Sequence, residues 1–284
     1  MIKVSQALEF ARNAFNASQI PFREAWILLE HATQHSKIDF FSGKKNTLFQ
    51  KEWNLFQDYI QRRIQYEPLS YITGKRFFYK NCLKVNSKTF IPRPETELLV
   101  DEALSFLSKR KNENLIQMLE FGLGCGAISI AVAGEIPGVF IDAVDISSEA
   151  LLVAKENIEN HQLHHRIKSY CGDLYEALPQ RKSYDLIVSN PPYIPRCRMD
   201  LLQKEVLAEP LLALDGGHKG LECIFNILHQ APWWIKKGGL LLLEIDGEEQ
   251  VSPITSMLHL KSFHQVFCRN DLSGKPRIMG GYKS

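Results

Sequence analysis

Along the first 66 residues the apolar positions recur at intervals of three and four, as in helices with one buried face, and no stretch alternates convincingly as a strand would. Ala25, Ile27, Leu28, Leu29 and Ala32 fall at such spacing behind Pro21, which sits where a helix can begin. Trp53, Phe56, Tyr59, Ile60 and Ile64 repeat it over a second long segment. The pattern predicts a small helical bundle, taken as a first domain over residues 1–74.

The texture changes from Arg76 to Phe90. Phe77, Phe78 and Tyr79, a Lys80-Asn81 turn, then Leu83 and Val85 predict a β-hairpin, so residues 75–92 are expected to form a linker. Next, Ile91-Pro92-Arg93-Pro94-Glu95-Thr96-Glu97 stiffens the chain with two prolines before an amphipathic helix from Glu95 to Ser108. Beyond the polar patch Lys109 to Asn114, strands are predicted at Leu115 to Phe121, Val139 to Ile146, Ile167 to Cys171, Tyr184 to Ser189 and Leu240 to Ile245. Helices are predicted between them at Ala127 to Glu135, Ser147 to Glu159 and Leu221 to Ile235. This alternation predicts an α/β domain over residues 93–284, a parallel sheet with helices on both faces. Phe263 to Arg269 and Arg277 to Tyr282 flank a long turn, so the sheet is expected to finish with a hairpin that has an antiparallel strand.

Ligands of open sheets sit beyond the carboxyl ends of the strands, and that is where the candidate chemistry lies. Glu120-Phe121-Gly122-Leu123-Gly124-Cys125-Gly126 ends the first strand of this domain. Three glycines let a backbone turn sharply and approach a ligand closely. Their G-x-G-x-G spacing departs from the G-x-G-x-x-G of dinucleotide sites, which disfavours a nicotinamide cofactor and leaves a simple strand-to-helix turn as the bland alternative. Asp145 ends the second strand, followed by Ile146. Its carboxylate can accept both hydroxyls of a ribose or cap the helix that follows. Asp173 and Leu174 close the third strand, where a carboxylate can receive the amine of an adenine and Leu174 or Ile146 can flank the ring; a polar turn is the alternative.

The fourth strand ends in Ser189-Asn190-Pro191-Pro192-Tyr193-Ile194-Pro195. Asn190 offers an acceptor and a donor on a short side chain, and the prolines fix the backbone while each removes an N–H. Together they present acceptors to a planar group bearing NH₂, with Tyr193 as a flat face beside it. A rigid turn would account for the prolines but not for an amide and an aromatic at the mouth of a nucleotide pocket.

Composition narrows the classes. Hydrophobic content of 45% with 23% charged residues is that of a soluble globular protein. No N-terminal segment joins a basic start to a sustained apolar run, and Leu240 to Leu243 is far too short to span a bilayer. A cytoplasmic protein with no membrane partner is expected. A net charge of +2 lacks the basic excess of a general nucleic-acid binder, and Arg62-Arg63 and Lys109-Arg110-Lys111 are cheaply explained as solvated faces, so no stable nucleic-acid partner is expected. Six scattered cysteines without a C-x-x-C pair are expected to be reduced thiols. His161, His164 and His165 have helix-face spacing, but with no cysteine or carboxylate set beside them the expectation is a polar loop and no metal.

Together these residues resemble the seven-strand S-adenosylmethionine-dependent methyltransferases, and Asn190-Pro191-Pro192-Tyr193 resembles the motif of those that methylate planar nitrogens. Within that group the chain resembles the release-factor glutamine methyltransferases, the PrmC/HemK family. The resemblance extends over Pro68-Leu69-Ser70-Tyr71-Ile72-Thr73-Gly74, Ile91 to Glu97, Glu120 to Gly126, Glu209-Pro210 with Ala213-Leu214, and Asp271-Leu272-Ser273-Gly274, which is nearly the whole chain. Leu123 and Cys125 stand where the family commonly has Thr and Thr or Ser, and Leu174 where it often has an aromatic residue. The resemblance implies a seven-stranded Rossmann-like methyltransferase domain joined by the hairpin to an N-terminal helical domain that helps receive a protein substrate. It implies S-adenosyl-L-methionine held by Gly122, Leu123, Gly124, Cys125, Gly126, Asp145, Ile146, Asp173, Leu174 and Asn190, with S-adenosyl-L-homocysteine as product. It implies Asn190, Pro191, Pro192 and Tyr193 as substrate contacts, with Asn190, Pro191 and Tyr193 catalytic. The implied partners are class-1 peptide chain release factors, methylated on the glutamine of Gly-Gly-Gln by a monomeric enzyme. Methylation of an adenine or guanine amine in nucleic acid remains the alternative, and a cofactor-binding protein without catalysis the second.

Overall fold

The computed structural model describes residues 1–110 and 115–284, so the end of the predicted polar patch, Lys111 to Asn114, lies outside the described residues. The chain forms two compact units, Met1–Gly74 with Gln203–Ala208, and Lys75–Leu202 with Glu209–Ser284.

The first unit is built from helices α1 (Val4–Ser18), α2 (Arg23–Thr33), α3 (Lys37–Phe41), α4 (Gln50–Ile64) and α5 (Leu69–Thr73). Ala7, Ala11 and Phe15, four apart on α1, are fully buried against Leu28 and Leu29 of α2 and Phe56 and Ile60 of α4. Burying one Leu, Ile or Phe side chain contributes about 1.5–3 kcal/mol, so this stripe supplies the unit's main cohesion. The expectation of no strand here fails at a small scale: β1 (Ile2–Lys3) and β2 (Thr47–Leu48) pair antiparallel. Two residues are too few to leave a period in the sequence. Arg63 also departs from expectation, being 1% exposed rather than solvated. Its guanidinium holds Glu24 Oε2 at 2.6 Å and the carboxylate of Glu205, which belongs to the short 203–208 stretch of this unit. A buried charge needs such partners, and losing one typically costs about 3–5 kcal/mol.

The second unit begins with the hairpin β3 (Lys75–Phe78) and β4 (Asn81–Lys84), whose register sets the turn at Tyr79-Lys80, one residue before the predicted position. A 3₁₀ turn over Pro94–Thr96 leads into α6 (Glu97–Ser108). The alternating part then runs β5 (Ile116–Phe121), α7 (Ala127–Glu135), β6 (Val139–Asp145), α8 (Ser148–Asn160), β7 (Ile167–Cys171), β8 (Tyr184–Ser189), α9 (Glu222–Gln230), β9 (Ile235–Glu244), α10 (Glu248–Leu260), β10 (Phe263–Asn270) and β11 (Pro276–Lys283). One seven-stranded sheet results, in the order β10-β11-β9-β8-β5-β6-β7, parallel except that β11 is antiparallel to both neighbours. This is the α/β sheet with a terminal hairpin that the pattern predicts. Its inward strands are apolar throughout, as strands covered on both faces must be: Leu186, Ile187, Val188 and Leu240 to Leu243 are all buried.

Two boundaries differ. Ile235 opens β9 instead of closing the preceding helix, which ends at Gln230 and is followed by a 3₁₀ turn at Ala231–Trp233. Helix α10 is absent from the predicted elements because Pro253 sits inside it, although Gln250, Ile254 and Leu258 carry its buried face at intervals of four. Arg110, like Arg63, is not a free surface charge: it binds the buried Asp185 and the Gly238 carbonyl, each at 3.1 Å. The six cysteines are free thiols. No described helix is long and apolar enough to cross a membrane.

One buried side chain fastens the hairpin to the glycine loop. Asn157 of α8, 1% exposed, accepts from Lys84 N at 2.8 Å and donates to Lys84 O at 2.9 Å and Cys125 O at 2.8 Å. The Asn157 amide itself is shielded from water, where an unmet polar group costs about 1–3 kcal/mol, so it ties β4 to the glycine loop after β5.

Candidate functional site

The strand order reverses at β5: the chain runs outward through β6 and β7, then returns to place β8 on the other side. Loops at such a switch point diverge and leave a crevice at the carboxyl ends of the strands. The loops after β5 and β8 are those carrying the glycines and Asn190-Pro191-Pro192-Tyr193. They touch: Ser189 Oγ donates to Phe121 O at 2.9 Å, and a Cβ on Gly122 would lie 3.4 Å from Asn190 O.

Gly122, Gly124 and Gly126 have φ of +74°, +56° and +89°, a backbone that only glycine adopts without strain. The space above Gly124 is open, with no atom within 4 Å of where a Cβ would stand. Leu123 and Cys125, in contrast, are buried, and burial pushes the Cys125 thiol up to about 12. Their side chains therefore serve the core, and a ligand here meets backbone. That explains how the loop tolerates residues differing from the commoner Thr and Ser.

Asp145, at the end of β6, joins the glycine loop to the start of α8. Its Oδ2 accepts from Gly124 N at 2.7 Å and its Oδ1 from Ser147 N at 2.9 Å, while the helix itself is capped by Ser147, whose side chain accepts from Ala150 N. Each carboxylate oxygen keeps a second lone pair for a hydroxyl donor. Burial raises the Asp145 pKa, opposed by those two amides. Ile146 is half exposed beside it. Asp173 and Leu174 follow β7, and Leu174 is held at φ +41°. Such left-handed backbone at a leucine costs of order 1–3 kcal/mol and is found where neighbouring structure dictates it. The open backbone cradle, the carboxylate and the apolar residues thus line successive strand ends, and they fit an adenosine with a charged tail.

Glu120, the penultimate residue of β5, is a buried acid to which no motif assigns a role. It is 1% exposed, bonded by the Ser129 hydroxyl of α7, and burial raises its carboxyl pKa to about 8, with the nearby Asp145 charge adding to the rise. A cationic ligand at the loop would stabilise the ionised form, so ligand binding should expel a proton. The affinity for a sulfonium or ammonium ligand is therefore expected to rise as pH increases from 6 to about 8, by at most about tenfold per unit, and then level off. Calorimetric titration across this range checks it; Glu120→Gln should remove the slope. Fold stability runs the other way, since a carboxyl whose pKa is raised by folding contributes most at acid pH and loses that contribution as pH rises toward 8.

The loop after β8 is braced from several directions. Ile194 N donates to Leu214 O at 3.1 Å and Gly216 N to Ile194 O at 2.9 Å. Gln250 of α10 donates to Tyr193 O at 2.9 Å and Gly220 O at 3.0 Å. Asn190 Nδ2 donates to Thr96 Oγ1 at 3.2 Å, and Tyr193 OH donates to Glu244 Oε1 at 3.1 Å. Since Nδ2 faces Thr96, Oδ1 of Asn190 faces the other way. Glu209 adds a second fastening, accepting from Ile91 N at 2.9 Å and pairing with Arg93, so that the Ile91 to Thr96 segment is held in place. Gly216, Gly220, Gln250 and Glu244 escape a motif search because each supports the loop from elsewhere in the chain, whereas Thr96 and Glu209 lie in segments that carry the family resemblance.

His164 and His165 meet edge to face at 5.6 Å, while His161 binds elsewhere. His161 Nδ1 lies 2.8 Å from Asn157 O, and His164 lies 3.2 Å from a carboxylate, that of Glu159. Among the described residues no three metal-binding side chains cluster.

Comparison with known proteins adds relatives. Residues 96–214 match the model of the methyltransferase small domain, and residues 6–74 that of the PrmC N-terminal domain. A release factor glutamine methyltransferase of Coxiella burnetii is 35% identical over 98% of this chain and 98% of its own. Another, of Caulobacter vibrioides, is 36% identical over 93% of this chain and 90% of its own. Among solved structures, the hMettl16 catalytic domain in complex with MAT2A 3'UTR hairpin 6 superimposes with a TM-score of 0.57 at 14% identity, over 71% of this chain and 75% of that one, a likeness of fold alone.

Proposed function

Because the chain belongs to the release factor glutamine methyltransferases, we propose that it transfers a methyl group from S-adenosylmethionine to the side-chain nitrogen of the glutamine in the Gly-Gly-Gln motif of class-1 release factors. The observation that carries this reading is the joining of two features in one chain. An amide-presenting Asn190 loop is braced at the switch point, and a helical unit matches the PrmC N-terminal domain.

S-Adenosylmethionine supplies an electrophilic methyl group on a sulfonium; the glutamine nitrogen forms a bond to that carbon as the carbon–sulfur bond breaks, and the nitrogen then releases a proton to solvent. Residues of this chain must overcome the poor nucleophilicity of an amide, whose lone pair is shared with its carbonyl. Asn190 Oδ1 and the Pro191 carbonyl accept the two N–H groups of the substrate and favour the geometry that frees the lone pair. Both acceptors are also aimed at the positive charge that develops on nitrogen. Alignment of this kind supplies roughly 7–11 kcal/mol of barrier reduction, and one preorganised polar contact on the order of 3 kcal/mol. No strong base is needed, because the nitrogen becomes acidic as it is methylated. The glycine loop and Asp145 hold the nucleoside, and Tyr193, anchored by its hydroxyl, offers its ring face to the amide. The helical unit receives the release factor.

Labelled methyl transfer tests the proposal. Label should enter a class-1 release factor and vanish when the glutamine of its Gly-Gly-Gln is replaced by alanine. Label entering only DNA or RNA would favour methylation of a base amine and overturn it.

A further inference from the structure

We propose that Glu244 is a positioning residue for this transfer: through the hydroxyls of Thr96 and Tyr193 it sets which way the Asn190 amide faces and where the Tyr193 ring stands. The inference rests on the glutamine-methylating reading given above.

Glu244 is the last residue of β9. Ser189 pairs with Leu243, so the next step along both strands brings Glu244 level with Asn190. It is fully buried, yet only one of its oxygens is clearly engaged: Oε1 accepts from Tyr193, while Oε2 has no partner at hydrogen-bond geometry. The Thr96 hydroxyl stands by the same carboxylate and draws its pKa down, and that hydroxyl also accepts from Asn190. A carboxylate sealed from water and left half satisfied is costly, and such groups call for an explanation beyond packing.

Proton counting provides one. A hydroxyl has a single proton. If Thr96 gives that proton to an ionised Glu244, it can only accept from Asn190, which must then turn Nδ2 toward it and Oδ1 toward the substrate. If Glu244 becomes a donor instead, the Thr96 proton is free to turn to Asn190. The amide then rotates and offers NH₂ where the substrate also brings N–H, and the acceptor is lost. Tyr193 is fixed in the same way, because its hydroxyl must donate to the carboxylate.

The groups facing this network are Tyr193 and Asn190 from the loop after β8, Thr96 and Glu95 before α6, and Arg277 from β11, with Asp246 two residues on in the same chain. Burial raises the Glu244 carboxyl to about 7, with Glu95 adding to the rise and Thr96, Tyr193 and Arg277 opposing it. Turnover should accordingly fall as pH drops through this value, when the carboxylate gains its proton.

The test measures kcat and both KM values against pH for the wild type, Glu244→Gln, Thr96→Val and Thr96→Ser. Glu244→Gln and Thr96→Val are expected to lower kcat at pH 8 by at least roughly tenfold, below the loss seen for a direct contact, with KM for S-adenosylmethionine unchanged. Both should remove the acidic limb near pH 7, and Thr96→Ser should restore it. A second measurement needs no substrate: the side-chain amide signals of Asn190 in ¹⁵N-labelled enzyme should shift with a midpoint near pH 7 in the wild type and stay still in Glu244→Gln. If Glu244→Gln does not fold, Thr96→Val and the wild-type titration decide. Wild-type kinetics and Asn190 signals that do not change through pH 7, or variants that keep wild-type turnover, overturn the role of Glu244. A wild type that binds S-adenosylmethionine and shows the Asn190 transition, but methylates no release factor, overturns the functional reading instead.

Discussion

Asn190→Ala is expected to lower kcat by roughly a hundred- to a thousandfold, the loss recorded when one preorganised polar group at a charge-developing atom is removed, and to leave S-adenosylmethionine affinity nearly unchanged. The side chain is held by Thr96, 94 positions away in the chain. The glycine backbone and Asp145 are not altered by its loss. Single-turnover kinetics alongside calorimetric binding separates the two quantities. Equal losses in both would mean that Asn190 holds the cofactor more than it orients the amide.

Gly220→Ala should be nearly as damaging although it alters no residue assigned to the reaction. Gly220 has φ +69°, and a Cβ there would stand 2.0 Å from Tyr193 O, 2.8 Å from Tyr193 C and 2.6 Å from Gln250 Nε2. Two of these are backbone atoms, which no side-chain rotation can move aside. The strain of the left-handed backbone costs about 1–2 kcal/mol and overpacking about 1–3 kcal/mol, so a stability loss of roughly 2–5 kcal/mol is expected. Any relief comes from shifting Tyr193, and a displacement near 1 Å at a reacting centre can cost about a hundredfold in turnover. Gly43→Ala is the control: φ is +77°, but the nearest atom is Asn46 Nδ2 at an ordinary 3.6 Å, in the helical unit. It should show the backbone cost in urea unfolding and none of the kinetic loss. Matching behaviour of the two variants would show that crowding against Tyr193 is unimportant.

The parts of the molecule legible in the sequence are those whose cause is local. Helical spacing located α2 and α4, continuous apolar runs located the parallel strands, and the glycine and proline motifs marked the two loops that meet at the switch point. What escaped is set by contacts between distant segments. Arg63 looks like one of two adjacent surface arginines until Glu24 and Glu205 close on it. Thr96 reads as part of a helix start, and Glu244 as the polar end of an apolar strand. Only the register of β8 with β9 and the placement of the turn before α6 turn the pair into supports of Asn190. Pro253 hid α10 because a proline usually ends a helix, and with α10 went Gln250, which holds Tyr193 in place.

The position of β11 has a consequence for biosynthesis. Residues 276–283 are made after every other strand, yet they lie between β9 and β10 and give β9 its second neighbour. Domains fold as units while chains emerge from the ribosome, so β9, and the carboxylate at its end, stays an open edge from its own synthesis until β11 has followed it. The enzyme proposed to tune chain termination would acquire its own working site only once β11 has joined the sheet.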